Sequence, residues 1–156
     1  EMNFLAFILL ATDTAGKKKK FPIFVNPRSF KELSEVEFTY NLLDHEYFHA
    51  ADFHHGITVS KDITLDHTNL GILQPEIIIA IADIRAFFNQ LEQIKKRKIS
   101  NRDYFNNLVN GVLKYHEILT TTAPQNEFET EVVQAQLSNY QHIFSTLKKT
   151  LPFQIR

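Results

Sequence analysis

Apolar residues are spaced along this chain in two different rhythms. Asn3 to Thr12 and Phe21 to Val25 are short apolar and aromatic runs, and between them lies the polar segment Asp13-Thr14-Ala15-Gly16-Lys17-Lys18-Lys19-Lys20, so the opening predicts two strands joined as a hairpin. Asn26-Pro27-Arg28 ends the second strand. From there the rhythm changes to helical spacing. Ser34 with Glu37 three residues later makes a capping box, and a helix is predicted from about Glu35 to His55, with Gly56 as its stop in a left-handed conformation. Ile57 to Leu73 has no sustained period and contains Gly71, which predicts an irregular loop that can cover a cleft, with a short strand at Ile57 to Val59. Gln74-Pro75-Glu76 opens the next helix with proline at its first position, and Lys95-Lys96-Arg97-Lys98 closes it at about Lys96. A third helix is expected over about Arg102 to Leu119, capped from Ser100-Asn101-Arg102-Asp103 and ended by Thr120 to Pro124. A fourth runs from about Glu127 to Lys149, where Phe128, Val132, Ala135, Tyr140 and Phe144 recur at helical spacing. The expected fold class is α+β and mostly helical: a small N-terminal β-hairpin, one site-bearing helix and three further helices.

Composition narrows this picture without changing it. At 156 residues the chain fits a single domain over residues 1–156, long enough to bury a core without staples. It opens at Glu1 without an initiator methionine and enters an apolar run at once, which suits a segment of a longer protein. Phe4 to Ala11 has no basic segment before it and is too short to span a bilayer, so it reads as a buried strand. The formal net charge of -1 gives no general attraction to nucleic acid or membrane, and the Lys17 to Lys20 run reads as a solvated loop tip. With Cys 0 there is neither a disulfide framework nor a thiolate site, so a metal must sit on His, Asp and Glu.

The chemistry lies in the middle of the first helix, as His45-Glu46-Tyr47-Phe48-His49. On a helix the two histidines are one turn apart on one face and can reach one ion, while the glutamate beside the first ligand can take a proton from a metal-bound water. HExxH is the zinc-hydrolase signature, but it supplies only two ligands. The candidates for a third are His54, His55, Asp52, Glu76, Asp83, His67 and His116. His55 stands where HExxHxxGxxH proteases place their third histidine. Those enzymes need a glycine where this chain has Asp52, and on an unbroken helix His55 lies about 240° around and about 9 Å along the axis from His49. The sole methionine is Met2, so their Met-turn is missing too, and the metzincin reading fails.

A resemblance bears on the choice. Asp83-Ile84-Arg85-Ala86-Phe87-Phe88-Asn89-Gln90-Leu91 looks like the "E-x-x-A-aromatic" segment that follows HExxH in several small zinc peptidase families, and His45-Glu46-Tyr47-Phe48-His49-Ala50-Ala51-Asp52 matches "HEYxHxxD". Over roughly Phe24 to Leu91 the chain most resembles the metallopeptidase domains at the ends of polymorphic, Rhs-type bacterial toxins. The resemblance implies a minimal zincin-like fold and a zinc ion held by His45, His49 and, by position, Asp83, where the family usually has the longer glutamate. It also implies that Asp52 holds a ligand imidazole or a backbone group in place. Glu76, seven residues before Asp83 on nearly the same face, stays open as the rival ligand. The expected activity is peptide-bond hydrolysis by a Glu46-activated water, on a protein or peptide substrate. A toxin role, with secretion or delivery into another cell and a cognate inhibitor as partner, follows from the resemblance alone. The opposing expectation is a non-catalytic binding or scaffolding module whose HExxH is vestigial or holds a structural metal. His116, with Tyr115 and Tyr104, is a further candidate, for a donor to a developing oxyanion.

Overall fold

The computed structural model describes residues 6–8, 23–25 and 34–150. These form four helical rods and two small antiparallel pairs of strands. Strand β1 (Ala6–Ile8) pairs with β2 (Ile23–Val25), with Phe7 opposite Phe24, and β1 lies beside the turn of helix that carries His45 and Glu46. The predicted strand pair is thus present in shorter form, while its polar connection, Asp13 to Lys20, lies outside the described residues.

The first rod begins as the sequence predicts. Ser34 accepts from the Glu37 backbone N–H while the Glu37 carboxylate accepts from the Ser34 N–H, closing the capping box. The rod comprises α1 (Glu35–Asn41), a π-helical turn (Leu42–Glu46) and α2 (Tyr47–His55). The π-turn is a departure from the predicted regular helix. The Tyr47 N–H reaches back five residues to the Leu42 carbonyl, which widens the rod by one residue just where His45 and Glu46 sit. Gly56 ends the rod, but at φ 87°, ψ 154° rather than in the left-handed helical conformation. Only glycine reaches that region comfortably. A Cβ there would also lie 2.9 Å from Thr64 Cγ2 and 3.1 Å from the Leu65 carbonyl oxygen, so the tight approach of the next hairpin requires the missing side chain. That hairpin, β3 (Ile57–Thr58) with β4 (Thr64–Leu65), contains the short strand expected at Ile57 to Val59 and corrects only the expectation that the rest is an irregular covering loop. Ile57, Val59 and Leu65 are each 1% exposed and belong to the core.

Helix α3 (Pro75–Arg97) is the central rod, opened by Pro75 and ended at Lys98, which sits in the left-handed conformation at φ 55°. Ile77, Ile81, Ile84, Leu91 and Ile94 form its buried stripe against α4 (Arg102–Thr121) and α5 (Glu127–Thr150). Burying one such side chain stabilises the fold by roughly 1.5–3 kcal/mol, so this stripe supplies a large part of the drive to fold. Gly111 on α4 admits the Phe87 ring, whose Cζ would lie 2.5 Å from a Cβ at that position. The buried Glu129 of α5 accepts from the backbone N–H groups of Gln74 and Gln125, at 2.5 and 2.6 Å, and so ties the start of α3 to that of α5. No helix among the described residues is long and apolar enough to cross a membrane.

Candidate metal centre

Three elements place the site. The π-turn carries His45 and Glu46, α2 carries His49, and α3 brings up Asp83 from the facing side. Asp83 Oδ1 lies 3.3 Å from His45 Nε2 and 3.7 Å from His49 Nε2. One donor atom from each of the three residues lies within 4.8 Å of the others, so the group can hold a metal ion. Tetrahedral coordination with bonds of about 2.0–2.1 Å puts neighbouring donors about 3.4 Å apart, and both measured distances lie close to that value. The three side chains are thus close enough together to hold an ion between them. The site is also largely buried: His45, Glu46 and His49 are 6%, 4% and 9% exposed.

The surroundings hold this arrangement from the α3 side. Gln90 Oε1 stands 2.8 Å from His45 Nδ1; with the amide in this orientation its oxygen accepts, which puts the proton on Nδ1 and leaves Nε2 facing Asp83. The Asn89 amide donates to the Asp44 carbonyl inside the π-turn at 2.7 Å. Arg97 forks onto the Asp44 carboxylate, with one of the two contacts at 2.8 Å, and Arg85 forks onto Asp52 at 2.7 and 2.9 Å. Asp52 is therefore buried and occupied. It holds Arg85 of the neighbouring helix, two residues from Asp83, and not the ligand imidazole or backbone group that the resemblance implied.

Electrostatics follow from burial and from this pairing. Burial presses the His45 imidazole toward its neutral form, but the Asp83 hydrogen bond and charge, with help from Glu46 and Gln90, leave its pKa above the ordinary value. Burial favours protonated Asp83, yet the two histidines hold it below the ordinary carboxylate range. A proton on His45 Nε2 and a divalent cation thus compete for the same place against Asp83. Burial raises the Glu46 pKa, partly opposed by His45 and His49. This carboxylate has a heightened appetite for a proton, as a general base requires.

The remaining candidates separate cleanly. Glu76, the second residue of α3, is exposed and does not join the cluster. His54, His55 and His67 are exposed and lie outside it. Tyr104 is engaged elsewhere, accepting from Gln90. Tyr115 is half-buried and stacks on Phe87, which packs edge-on against His45. Burial, with the nearby Asp83 and Glu46 carboxylates, pushes its hydroxyl up to about 12. Sequence reasoning missed Gln90, Asn89 and Arg97. Their only signal was a stripe of polar residues on an otherwise apolar helix. A cleft of about 400 Å³ lined by Phe48, Arg85, Phe88, Glu92, Gln136 and Tyr140 lies elsewhere. Arg85, Phe88 and Glu92 sit about half a turn around α3 from Asp83, so the cleft and the metal site occupy opposite faces of that helix.

No family model, curated protein or solved structure matches the chain. The site therefore has to be interpreted from its own geometry.

Proposed function

We propose that the chain is a zinc-dependent hydrolase, a metallopeptidase that cleaves peptide bonds with Glu46 as general base. One observation carries this reading: His45 and His49 turn their Nε2 atoms onto the Asp83 carboxylate while Glu46 lies buried beside them. Two imidazoles and one carboxylate, with no cysteine in the chain, are a donor set of catalytic zinc sites. The same set also serves iron(II) in oxygenases, and the adjacent buried base is what favours hydrolysis. Bound there, a divalent ion supplies Lewis acidity, lowering the pKa of a coordinated water and polarising a carbonyl.

The chain's own residues do the rest. His45 and His49 present neutral Nε2 lone pairs, Asp83 supplies the negative charge, and Glu46 takes the proton of the attacking water and hands it to the leaving amine. The peptide substrate rests on the resemblance of the HEYxHxxD segment, as does the extension to a toxin or effector with a cognate inhibitor.

A structural metal is the second reading, favoured by the 4% exposure of Glu46. Metal analysis and a cleavage assay on a protein mixture separate the two. Hydrolysis requires one zinc per chain in both wild type and Glu46→Gln, with cleavage only in the former. A structural ion gives zinc in both and cleavage in neither. Absence of zinc from the wild type contradicts both readings.

A further inference from the structure

Gln90 is 1% exposed, and its amide is held on both sides. Its nitrogen donates to the Tyr104 hydroxyl at 3.2 Å and to Asn41 Oδ1 at 3.4 Å, and its oxygen faces His45 Nδ1 at 2.8 Å. In this orientation the amide nitrogen donates to both Tyr104 and Asn41, and the oxygen accepts from His45, which places the His45 proton on Nδ1. Burial keeps the Tyr104 phenol protonated, with its pKa pushed up to about 12, so this partner stays neutral across the working range. His49 has no such support, because its Nδ1 is buried without a hydrogen-bond partner among the described residues.

We infer that Gln90, locked by Tyr104 and Asn41, is the positioning residue of the metal centre: it selects the His45 tautomer whose Nε2 can bind an ion and thereby sets the affinity of the site. The inference rests on the metal reading above. It also makes the two histidines unequal: His45 is held at both ring nitrogens, whereas His49 meets Asp83 through Nε2 and has no partner at Nδ1 among the described residues. A neutral amide polarises the imidazole less than a carboxylate in the same place, so the site is built for moderate affinity and strong Lewis acidity rather than for the tightest grip.

The test compares Gln90→Leu, Gln90→Glu and Tyr104→Phe with wild type. Zinc affinity is read by competition with a chromogenic chelator, and the His45 ring nitrogens by long-range ¹H–¹⁵N spectra of the zinc-loaded protein. Gln90→Leu is expected to weaken zinc binding roughly 10- to 100-fold, and Tyr104→Phe by a smaller factor in the same direction. Gln90→Glu should bind at least as tightly as wild type, since it restores the acceptor. The His45 Nδ1 proton should be protected from exchange in wild type and Gln90→Glu and exposed to it in Gln90→Leu. A Gln90 that merely filled space would give Leu and Glu variants of equal zinc affinity, which overturns the inference; where Gln90→Leu folds poorly, a Tyr104→Phe protein that binds zinc as tightly as wild type overturns it instead. A wild type that binds zinc while Gln90→Leu binds it equally well overturns this inference and leaves the proposed function standing. A wild type that binds no zinc overturns both.

Discussion

Asp83→Asn keeps the shape of the third candidate ligand and removes its charge. The oxygen concerned lies 3.3 and 3.7 Å from the two imidazole nitrogens, close to the spacing an ion imposes. Fully formed protein zinc sites with four ligands contribute roughly 10–16 kcal/mol, or about 2.5–4 kcal/mol per ligand. At about 1.4 kcal/mol per decade, losing one ligand weakens binding by about two to three orders of magnitude. Glu76→Gln is the matched control. Seven residues at about 1.5 Å rise place Glu76 about 10 Å along α3 from Asp83, and its side chain is exposed, so its zinc affinity should equal that of wild type. Titration of metal-free protein against a chelator of known affinity reads both. An Asp83→Asn protein that binds within threefold of wild type, or a Glu76→Gln protein that loses binding, would refute the assignment of Asp83.

Three further outcomes follow from the same geometry. Asp52→Ala leaves the half-buried Arg85 without its forked partner, and losing hydrogen bonds to a charged group costs about 1.5–3 kcal/mol, to be seen as a lowered urea midpoint in metal-free protein; a change under about 1 kcal/mol contradicts a stabilising role for the Arg85–Asp52 pair. Gly56→Ala combines an unfavourable φ with a 2.9 Å contact to Thr64 and should destabilise by about 1–3 kcal/mol in thermal melts, with zinc affinity kept; a neutral effect would show that the turn relaxes freely. In metal-free protein, His45 and Glu46 both titrate above their ordinary values. The stability that each contributes is present below those values, 6.5 and 4.5, and is lost as pH rises through the raised ones. Asp83, held low, contributes above 3.8 and loses its share only in stronger acid. Metal-free stability should therefore fall as pH rises past 6.5 while zinc affinity climbs, because the ion takes the place of the His45 proton; denaturant midpoints rising with pH over that range would contradict it.

Local signals carried most of the fold. Ser34 and Glu37, Pro75, Asn101 and Gly56 act through neighbours a few residues away, and the helices they bound were legible from them. The HExxH pair was legible for the same reason, since its geometry is one turn of one helix. The partners on α3 were not. Gln90 meets His45 across 45 residues and Arg97 meets Asp44 across 53, and no local pattern encodes such pairings. Asp83 was found only through a resemblance, and Glu76 stayed its rival until the packing of α3 turned one inward and left the other exposed. The π-turn was illegible because a one-residue widening leaves the spacing of His45 and His49 in sequence untouched.

The central claim is that Glu46 works as a base beside an ion held by His45, His49 and Asp83. Its most direct test is the rate at which zinc-loaded Glu46→Gln cleaves a protein substrate that zinc-loaded wild type cleaves. A positioned general base contributes about 10²- to 10⁴-fold, so the variant should retain its zinc and lose at least about 99% of the rate. Equal rates in the two proteins would contradict the account.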